Sequence, residues 1–411
     1  MNDSRTGLRK RALWVLLGCL VCQLGLGFGY VFGPLMPDIL AEFGWSRSEF
    51  SFARTPQLFA TALTSPLVGF LVVRFGARGV LASACLVLGV SFALLSSMQS
   101  LWQYYMLIML MGLSVTGLGD ITVGAAVSEW FTKRRGLALG FVYCGSNLAG
   151  FFLTRLADAT AAASSWRQAL LTIGVGGALV ILPFALFAVR SPRAGERPAD
   201  EPGEGAHVAT DDDMPLRAAL RTRSFWLLLA SLFTFFFFFL GMLEHLVAFL
   251  RDGGMPRDEA AGYFSMAIGL GVVSKIGCGW LADRLHAHST LLLDFGLLAL
   301  SSIVLLALPD PLLMWVYVVC YGFATAARDV VHPLIIQHCF GTRYMAEIYG
   351  TLMLALLPGS LGPLFAGAVH DYTGSYTFAF TTFAALNFLA VAALTFVRDE
   401  RAPSGSARSL P

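Results

Sequence analysis

The chain has 411 residues, of which 56% are hydrophobic and 13% are charged, whereas a soluble domain carries about 25% charged residues. This composition excludes a soluble enzyme or a soluble binding domain, and the formal net charge of +2 gives no reason to expect a nucleic-acid partner. The apolar runs are about 20 residues long, so they predict an integral membrane protein built from helices.

Twelve apolar segments follow one another along the chain, each about as long as the 20 residues that a membrane-spanning helix needs. The basic tail at residues 1–11 leads into the first segment without a small-residue cleavage site. That segment is therefore predicted to remain as a span and not to be removed as a signal peptide. The predicted spans lie at residues 12–33, 49–73, 79–98, 101–127, 136–158, 166–189, 224–250, 258–281, 290–308, 312–336, 347–369 and 376–397.

A polar segment at residues 191–223 separates the first six spans from the last six. It is rich in Pro, Gly and acidic residues and has no hydrophobic period, which is typical of a flexible linker. The sequence therefore predicts a six-helix half at residues 12–190, a cytoplasmic linker at 191–223, a second six-helix half at 224–398 and a cytoplasmic tail at 399–411.

Basic residues are distributed unevenly between the two sides of these spans. Lys and Arg crowd the tails, the linker and the loops after even-numbered spans, whereas the loops on the other side hold Arg47, Arg167, Arg251 and Arg257. Because cytoplasmic loops carry the excess of Lys and Arg, we expect both termini to be cytoplasmic. The predicted location is the cell membrane, as a multi-pass protein of the inner membrane.

The motifs of several chemistries are missing from the sequence. The seven cysteines fall in or at the edge of apolar segments and show neither a disulfide framework nor a metal-binding spacing. The chain has no GxxxxGK[ST] phosphate loop, so ATP is not expected to drive it, and it has no HExxH or GxSxG motif. We therefore expect no enzyme activity, no cofactor, no bound metal and no nucleic acid.

The two halves show an internal repeat. Span two ends in GFLVVRFGAR (69–78), and span eight ends in GWLADR (279–284). Two parallel halves that both begin inside are the arrangement of a transporter that rocks one half against the other. At nearly the same offset, Asp120 of span four corresponds to Asp329 of span ten. This correspondence predicts two carboxylates that face each other across a central cavity.

The loops after spans two and eight resemble the GxLaDRxGxR signature of the major facilitator superfamily. Within that superfamily, EWFTKRRGLALGFVYCGS resembles the span-five signature of the monocarboxylate transporters, in which an aromatic pair precedes KRR-x-LA-x-G. FGWSRSEFS, EHLVAFLRDGG and GPLFAGAVHDYTGSY are similar to stretches of bacterial members. The resemblance implies the major facilitator fold, an all-α membrane protein of twelve transmembrane helices in two pseudo-symmetric six-helix bundles.

The resemblance also implies gating contacts on the cytoplasmic side, which close the inner gate when the cavity opens outward. The first loop departs from the family pattern because Val73 stands where Asp is usual. The residues expected to make the gating contacts are Arg74, Arg78, Asp283, Arg284, Lys133, Arg134 and Arg135.

Charged side chains inside the spans mark the expected substrate path, because each costs about 2.5 kcal/mol or more in the bilayer interior. Arg328 of span ten and Lys275 of span eight are the candidate cations for an anionic substrate. Lys275 stands where the family usually has Arg, and Gly271 where some members carry Asp. The alternative for both cations is a structural ion pair, Arg328 with Asp329 and Lys275 with Asp120 or Asp329.

Four titratable side chains are candidates for carrying a coupled proton, namely Asp120, Asp329, His245 and His332. Histidine is the side chain whose unperturbed pKa lies nearest neutrality, and the family often has His at position 245. For Asp120 the alternative is a hydrogen bond to backbone that neighbouring glycines open. For His245 the alternative is an interfacial pair with Glu244.

Together these features predict a secondary transporter of a small organic anion, with Tyr30 and Tyr143 lining the apolar side of its pocket. The leading hypothesis is proton-coupled symport of a monocarboxylate by alternating access. Its partners are the substrate, protons and the lipid bilayer, with the chain as a monomer. The alternatives are an anion exchanger or a carrier of aromatic or dicarboxylic acids, because two cations also suit a dianion. A ligand-sensing membrane receptor on a transporter fold is the alternative from another class.

Overall fold

The computed structural model describes residues 2–131, 135–192, 214–284, 287–307, 310–341 and 344–401. These residues form helices joined by short turns, and the described part of the chain contains no β-strand. The α-helices are α1 (Asn2–Gln23), α2 (Phe32–Phe43), α3 (Arg47–Phe52), α4 (Arg54–Leu95), α5 (Leu101–Leu118), α6 (Asp120–Trp130), α7 (Arg135–Ala163), α8 (Trp166–Phe187), α9 (Leu216–Ala219), α10 (Arg223–Asp252), α11 (Arg257–Arg284), α12 (Ala287–Val304), α13 (Pro311–Phe340), α14 (Met345–Leu352), α15 (Leu356–Gly359), α16 (Leu361–Thr373) and α17 (Thr377–Leu394).

All twelve predicted spans are helical. Within the described ranges, nine helical segments are long and apolar enough to cross a membrane. Of the other three predicted spans, five and ten lie within α7 and α13, which have 29 and 30 residues, and span two begins in α3 and continues in α4, which has 42 residues. Spans two and three share α4, in which Gly76 has a φ of 76° that separates them. A positive φ is readily adopted by glycine, so the chain reverses there without a long loop.

Polar side chains begin several of the helices. Ser46 and Glu49 form a reciprocal capping box at the start of α3. Ser100, Ser165 and Thr222 accept hydrogen bonds from the first free amides of α5, α8 and α10. These side chains satisfy donors that have no partner inside the helix, and they set the points at which the apolar segments begin.

Two of the spans are interrupted. Span one passes from α1 through a 3-10 helix at Leu24–Val31 into α2. Span four breaks at Gly119, whose backbone is extended between α5 and α6. Asp120 thereby becomes the first residue of α6, where the partial positive charge of a helix N-terminus stabilises a carboxylate. Span ten, by contrast, runs as the single helix α13 through Asp329, so the internal repeat does not include this break.

Each half has its own hydrophobic core, one formed by α1–α8 (the N-terminal half) and the other by α10–α17 (the C-terminal half). The halves pack closely where α7 meets α11. A Cβ at Gly150 of α7 would overlap Ile268, and a Cβ at Gly269 of α11 would lie 2.6 Å from the Phe151 ring. Small residues let helix backbones approach in this way. The predicted linker lies largely outside the described residues, and its boundaries stay a prediction.

The direction of the chain defines two ends of the bundle. The termini end holds the start of α1, the Gly76 turn and the start of α10. The far end holds α3 and the turns before α5, α8 and α11.

Candidate substrate site

Two cations share one carboxylate near the middle of the C-terminal half. The Nζ atom of Lys275, on α11, lies 3.0 Å from Oδ2 of Asp329 on α13, and Nη2 of Arg328 contacts Oδ1 of the same carboxylate. The side chains of Lys275 and Arg328 are 5% and 16% exposed, whereas that of Asp329 is 31% exposed. The carboxylate therefore borders open space while its two cations lie mostly behind it.

Lys275 also connects the two halves. Its ammonium donates a hydrogen bond to the backbone oxygen of Tyr143, on α7, over 3.1 Å. An ammonium has three donors, and the bonds to Asp329 and Tyr143 use two of them. A movement of α7 relative to α11 would change the partners of this side chain.

Arg328 rests on aromatic rings. Its guanidinium carbon is 5.3 Å from the centroid of the Phe235 ring and 5.1 Å from that of Phe236. The electron-rich ring faces attract a cation. The rings therefore hold the guanidinium in position without neutralising its charge.

Asp120 has a neutral partner. Its Oδ1 accepts a hydrogen bond from Nε2 of Gln23, on α1, over 2.6 Å. The residue is exposed and lies within electrostatic range of Asp329, Lys275 and Arg328. No ion pair to Asp120 is formed by the described residues, so its surroundings differ from those of Asp329.

His332 lies inside the core of the C-terminal half. It is fully buried, and its ring centroid is 5.7 Å from that of Phe295 on α12. Neither ring nitrogen makes a hydrogen bond to a described residue. His332 is one helical turn from Arg328 but does not border open space, and its role as a proton carrier stays a prediction.

His245 lies at the far end and is also fully buried. Its Nε2 is 3.0 Å from the carbonyl oxygen of Pro363, which can only accept, so this nitrogen carries the hydrogen. Nδ1 then accepts from the hydroxyl of Tyr376 over 2.9 Å. Ser51 of the N-terminal half is 3.0 Å from the same Nε2, so His245 joins the two halves; its proton role stays a prediction.

The two predicted aromatic residues lie at the boundary between the halves. The ring of Tyr30 has its centroid 6.5 Å from that of Phe264 on α11. Tyr143 reaches the charged cluster through its carbonyl oxygen, which accepts from Lys275. Both residues are partly buried. Whether they contact a substrate stays a prediction.

The predicted gating residues that the structure describes lie at the termini end. Arg74 and Arg78 of α4 are exposed, and the guanidinium of Arg74 lies 5.6 Å from the ring centroid of its neighbour Phe75. Lys133 and Arg134 lie outside the described residues. Three others belong to α7 and α11 at positions whose side chains are not described, namely Arg135, Asp283 and Arg284. The gating role stays a prediction.

Ion pairs join the two halves at the far end. Asp38 of α2 lies 3.6 Å from Arg251 and 2.8 Å from Arg257 of the C-terminal half. Arg257 also lies 2.6 Å from Asp158, at the end of α7. Each distance joins a guanidinium nitrogen to a carboxylate oxygen.

Arg47 makes a second set of contacts at the same end. Its Nη1 is 2.7 Å from Oδ2 of Asp252. The backbone amides of Arg47 and Ser48 donate to the carboxylate of Asp371 over 3.2 and 2.9 Å. The far end is therefore closed by polar contacts between the halves.

Sequence reasoning missed one buried pair at this end. Nε of Arg54, on α4, lies 2.6 Å from Oε1 of Glu244 on α10. Partners that are 190 positions apart cannot be recognised from their spacing in the sequence. The signal available was the presence of one charge of each sign inside apolar runs.

Sequence reasoning also missed two polar residues near the cluster. Asn147 of α7 donates from Nδ2 to the carbonyl of Ile268 over 3.1 Å, and a Cβ at Gly271 would overlap its amide. The carboxylate of Asp294 is buried in α12, with Oδ1 unpaired among the described residues. Asp294 stands out in the sequence as a single acid in LLLDFGLLAL.

Comparisons with known proteins agree with this architecture. The chain is 26% identical to monocarboxylate transporter 13 of Bos taurus over 89% of this chain and 85% of that protein. It is 25% identical to the oxalate:formate antiporter of Oxalobacter formigenes over 97% of this chain and 95% of that protein. Both are transporters.

Solved structures show the same fold. A crystal structure of the nucleoside transporter NupG matches with a TM-score of 0.73 at 10% identity, over 93% of this chain and 99% of that one. An inward-facing, unoccupied bacterial homologue of the lysosomal transporter Spinster matches with a TM-score of 0.68 at 18% identity, over 94% and 95% of the two chains.

A sequence model of the family described as the Major Facilitator Superfamily matches residues 15–359. The predicted all-α fold of twelve membrane helices in two bundles is confirmed, and so is the prediction of a transporter and not an enzyme. The chain belongs to the major facilitator superfamily.

Proposed function

We propose that this protein moves a small monocarboxylate together with a proton by alternating access. The observation that carries the proposal is the charge balance of the central cluster. Lys275 and Arg328 bring two positive charges, and Asp329 and Asp120 bring two negative charges when ionised. A bound carboxylate adds one negative charge, and one proton restores neutrality. Net charge is costly inside a bilayer, so this balance favours moving the two together.

The individual partners support separate roles. Lys275 and Arg328 each exchange a bond to Asp329 for a bond to the substrate carboxylate. Asp329 stays ionised because opposite charges adjoin it, whereas Asp120, whose carboxylate accepts from the neutral Gln23 amide, takes the proton. A ligand shifts a conformational equilibrium only by binding its states differently. In this proposal, the hydrogen bond from Lys275 to the Tyr143 carbonyl of α7 is the contact that differs between the inward-facing and outward-facing states.

The orientation supports an inward-facing state. The excess of Lys and Arg at the termini end favours its placement in the cytoplasm. The far end, closed by the ion pairs of Asp38 and Arg47, then faces outward.

The proposal is tested by uptake of radiolabelled lactate and pyruvate into proteoliposomes, with and without an imposed proton gradient. We expect gradient-driven accumulation. Lys275→Ala and Arg328→Ala should each lower uptake about 10- to 100-fold, because a hydrogen bond to a charged group contributes about 1.5–3 kcal/mol. Arg398→Ala is the control, since that side chain is 77% exposed near the tail.

Uptake at the wild-type level in both alanine variants would show that the cations are assigned wrongly. Binding without flux would indicate a receptor.

Anion exchange is the second candidate. Two cations on one carboxylate also suit a dianion, and one relative is an oxalate:formate antiporter. Strong counterflow of labelled oxalate against formate, with no response to the proton gradient, would establish exchange in place of symport.

A further inference from the structure

The Arg54–Glu244 pair differs from the other contacts that close the far end. The side chains of Arg54 and Glu244 are 8% and 4% exposed, whereas those of Arg47 and Asp252 are 16% and 43% exposed. Arg54 also donates from Nη1 to Gln57 over 3.0 Å. Gln57 thus holds the Arg54 side chain in place within the N-terminal half, and the ion pair with Glu244 connects it to the C-terminal half.

Opening the far end must separate this pair, because α4 and α10 belong to different halves. Asp252 is exposed and Arg47 is partly exposed, so these charges are already partly hydrated and regain water when they part. Arg54 and Glu244 are buried, and a buried charge that loses its partner is unfavourable. Opening therefore favours a replacement anion on Arg54 and a replacement cation on Glu244.

We propose that the Arg54–Glu244 pair is a site that accepts one carboxylate and one proton. When the far end opens, the substrate carboxylate replaces Glu244 on Arg54, and Glu244 binds a proton from the adjacent solution. The bond between Nε of Arg54 and Oε1 of Glu244 breaks, an O–H bond forms on Glu244, and the net charge of the site stays zero. This inference rests on the proposed function. It identifies Glu244 as the first group that accepts the proton, and it gives a ratio of one proton per carboxylate at this site.

The surroundings of Glu244 leave one of its carboxylate oxygens available to bind a proton. Its Oε2 is buried without a hydrogen-bond partner among the described residues. The groups that face it are Arg54 from α4, Tyr104 from α5 and Ser51 from α3. Arg54 is the only cation in this set, so its capture by a substrate removes the group that keeps Glu244 ionised.

Closing the far end requires the reverse exchange. Glu244 must lose its proton, and the carboxylate must leave Arg54, before the pair forms again. Tyr30 lies within electrostatic range of Arg54 and also of Asp329 and Arg328. Span one therefore connects the pair to the central cluster, and a pair that forms again only after both ligands have moved inward couples their two fluxes.

The test compares Glu244→Gln with Glu42→Gln in proteoliposomes that contain a pH-sensitive dye. Glu42 is a matched control because it lies at the same end and pairs with Arg167 over the same 2.6 Å, but within one half. Wild type and Glu42→Gln should take up one proton per labelled lactate. Glu244→Gln should lose at least nine-tenths of the proton uptake per lactate, and its lactate flux should no longer follow an imposed pH gradient.

Proton uptake at the wild-type ratio in Glu244→Gln would overturn the inference. If Glu244→Gln shows no flux, the inference is tested instead by the shift in melting temperature that lactate causes. This shift should grow as pH falls in wild type and be independent of pH in Glu244→Gln. A wild-type pH dependence in the variant would overturn the inference. A wild-type protein that moves lactate without protons would overturn this inference but leave carboxylate transport standing. A wild-type protein that moves neither lactate nor pyruvate would overturn the proposed function itself.

Discussion

At the scale of single residues, Asp120 and Asp329 show how matched positions acquire different chemistry. Both are carboxylates at equivalent points of the two halves. Asp329 adjoins Lys275 and Arg328, whereas Asp120 receives a hydrogen bond from the Gln23 amide. Carboxylates whose environments differ in this way divide the roles of fixed charge and proton acceptor between them.

Asp120→Asn separates the two roles. The amide keeps a partner for Gln23 but cannot ionise, so lactate uptake should no longer respond to a proton gradient, while the melting temperature changes little. Asp329→Asn leaves Lys275 and Arg328 without their anion and should cost about 3–5 kcal/mol of stability. Uptake assays and thermal melts measure these effects. Gradient-driven uptake by Asp120→Asn at the wild-type rate would contradict the assignment.

The charged residues could be predicted from the sequence, but their partners could not. A charge inside an apolar run is visible by inspection, which identified Arg328, Lys275 and both aspartates. The bond from Lys275 to the carbonyl of Tyr143 spans 132 positions and depends on how two helices cross. Local periodicity holds no information about such a crossing.

At the scale of helices, the spans could be predicted because their length follows from the thickness of the bilayer. The breaks within them could not. Gly117 and Gly119 lie two positions apart in span four, yet α5 continues through Gly117 and ends before Gly119. Glycine permits a break but does not require one. The packing around each glycine determines whether the helix continues or ends there.

The close packing of α7 provides a prediction with an internal control. A Cβ at Gly145 would lie 2.5 Å from the carbonyl oxygen of Leu20, whereas a Cβ at Gly140 would meet nothing within 4 Å. Gly145→Val should therefore destabilise the protein by about 1–3 kcal/mol more than Gly140→Val. The same change on one helix cancels the difference in helix propensity. Equal melting temperatures of the two variants in detergent would contradict this packing.

At the scale of the whole molecule, the two ends of the bundle differ. The far end is held by ion pairs between the halves, whereas Arg74 and Arg78 are exposed at the termini end. Exposed ion pairs contribute about 0–1 kcal/mol each and weaken in salt. The pairs of Asp38 and Arg47 are partly exposed, so these contacts can separate without unfolding either core.

Asp38→Ala removes a carboxylate that pairs with both Arg251 and Arg257. It should increase the population that is open at the far end. A cysteine placed at Ala53, which is 1% exposed in the closed state, should then react severalfold faster with an impermeant maleimide. Added salt should raise the wild-type rate in the same direction. The seven native cysteines are buried, and Glu42→Ala serves as the control; an unchanged rate in Asp38→Ala would refute this closure.

The overlap between Gly271 and Asn147 has an evolutionary consequence. Asn147 fills the space that a side chain at position 271 needs, and a Cβ at that position would also lie 2.9 Å from the Cβ of Ala326. Gly271→Asp is therefore tolerated only after Asn147 has been replaced by a smaller residue. We therefore expect the two sites to be epistatic, so that the effect of a substitution at position 271 depends on the residue at position 147.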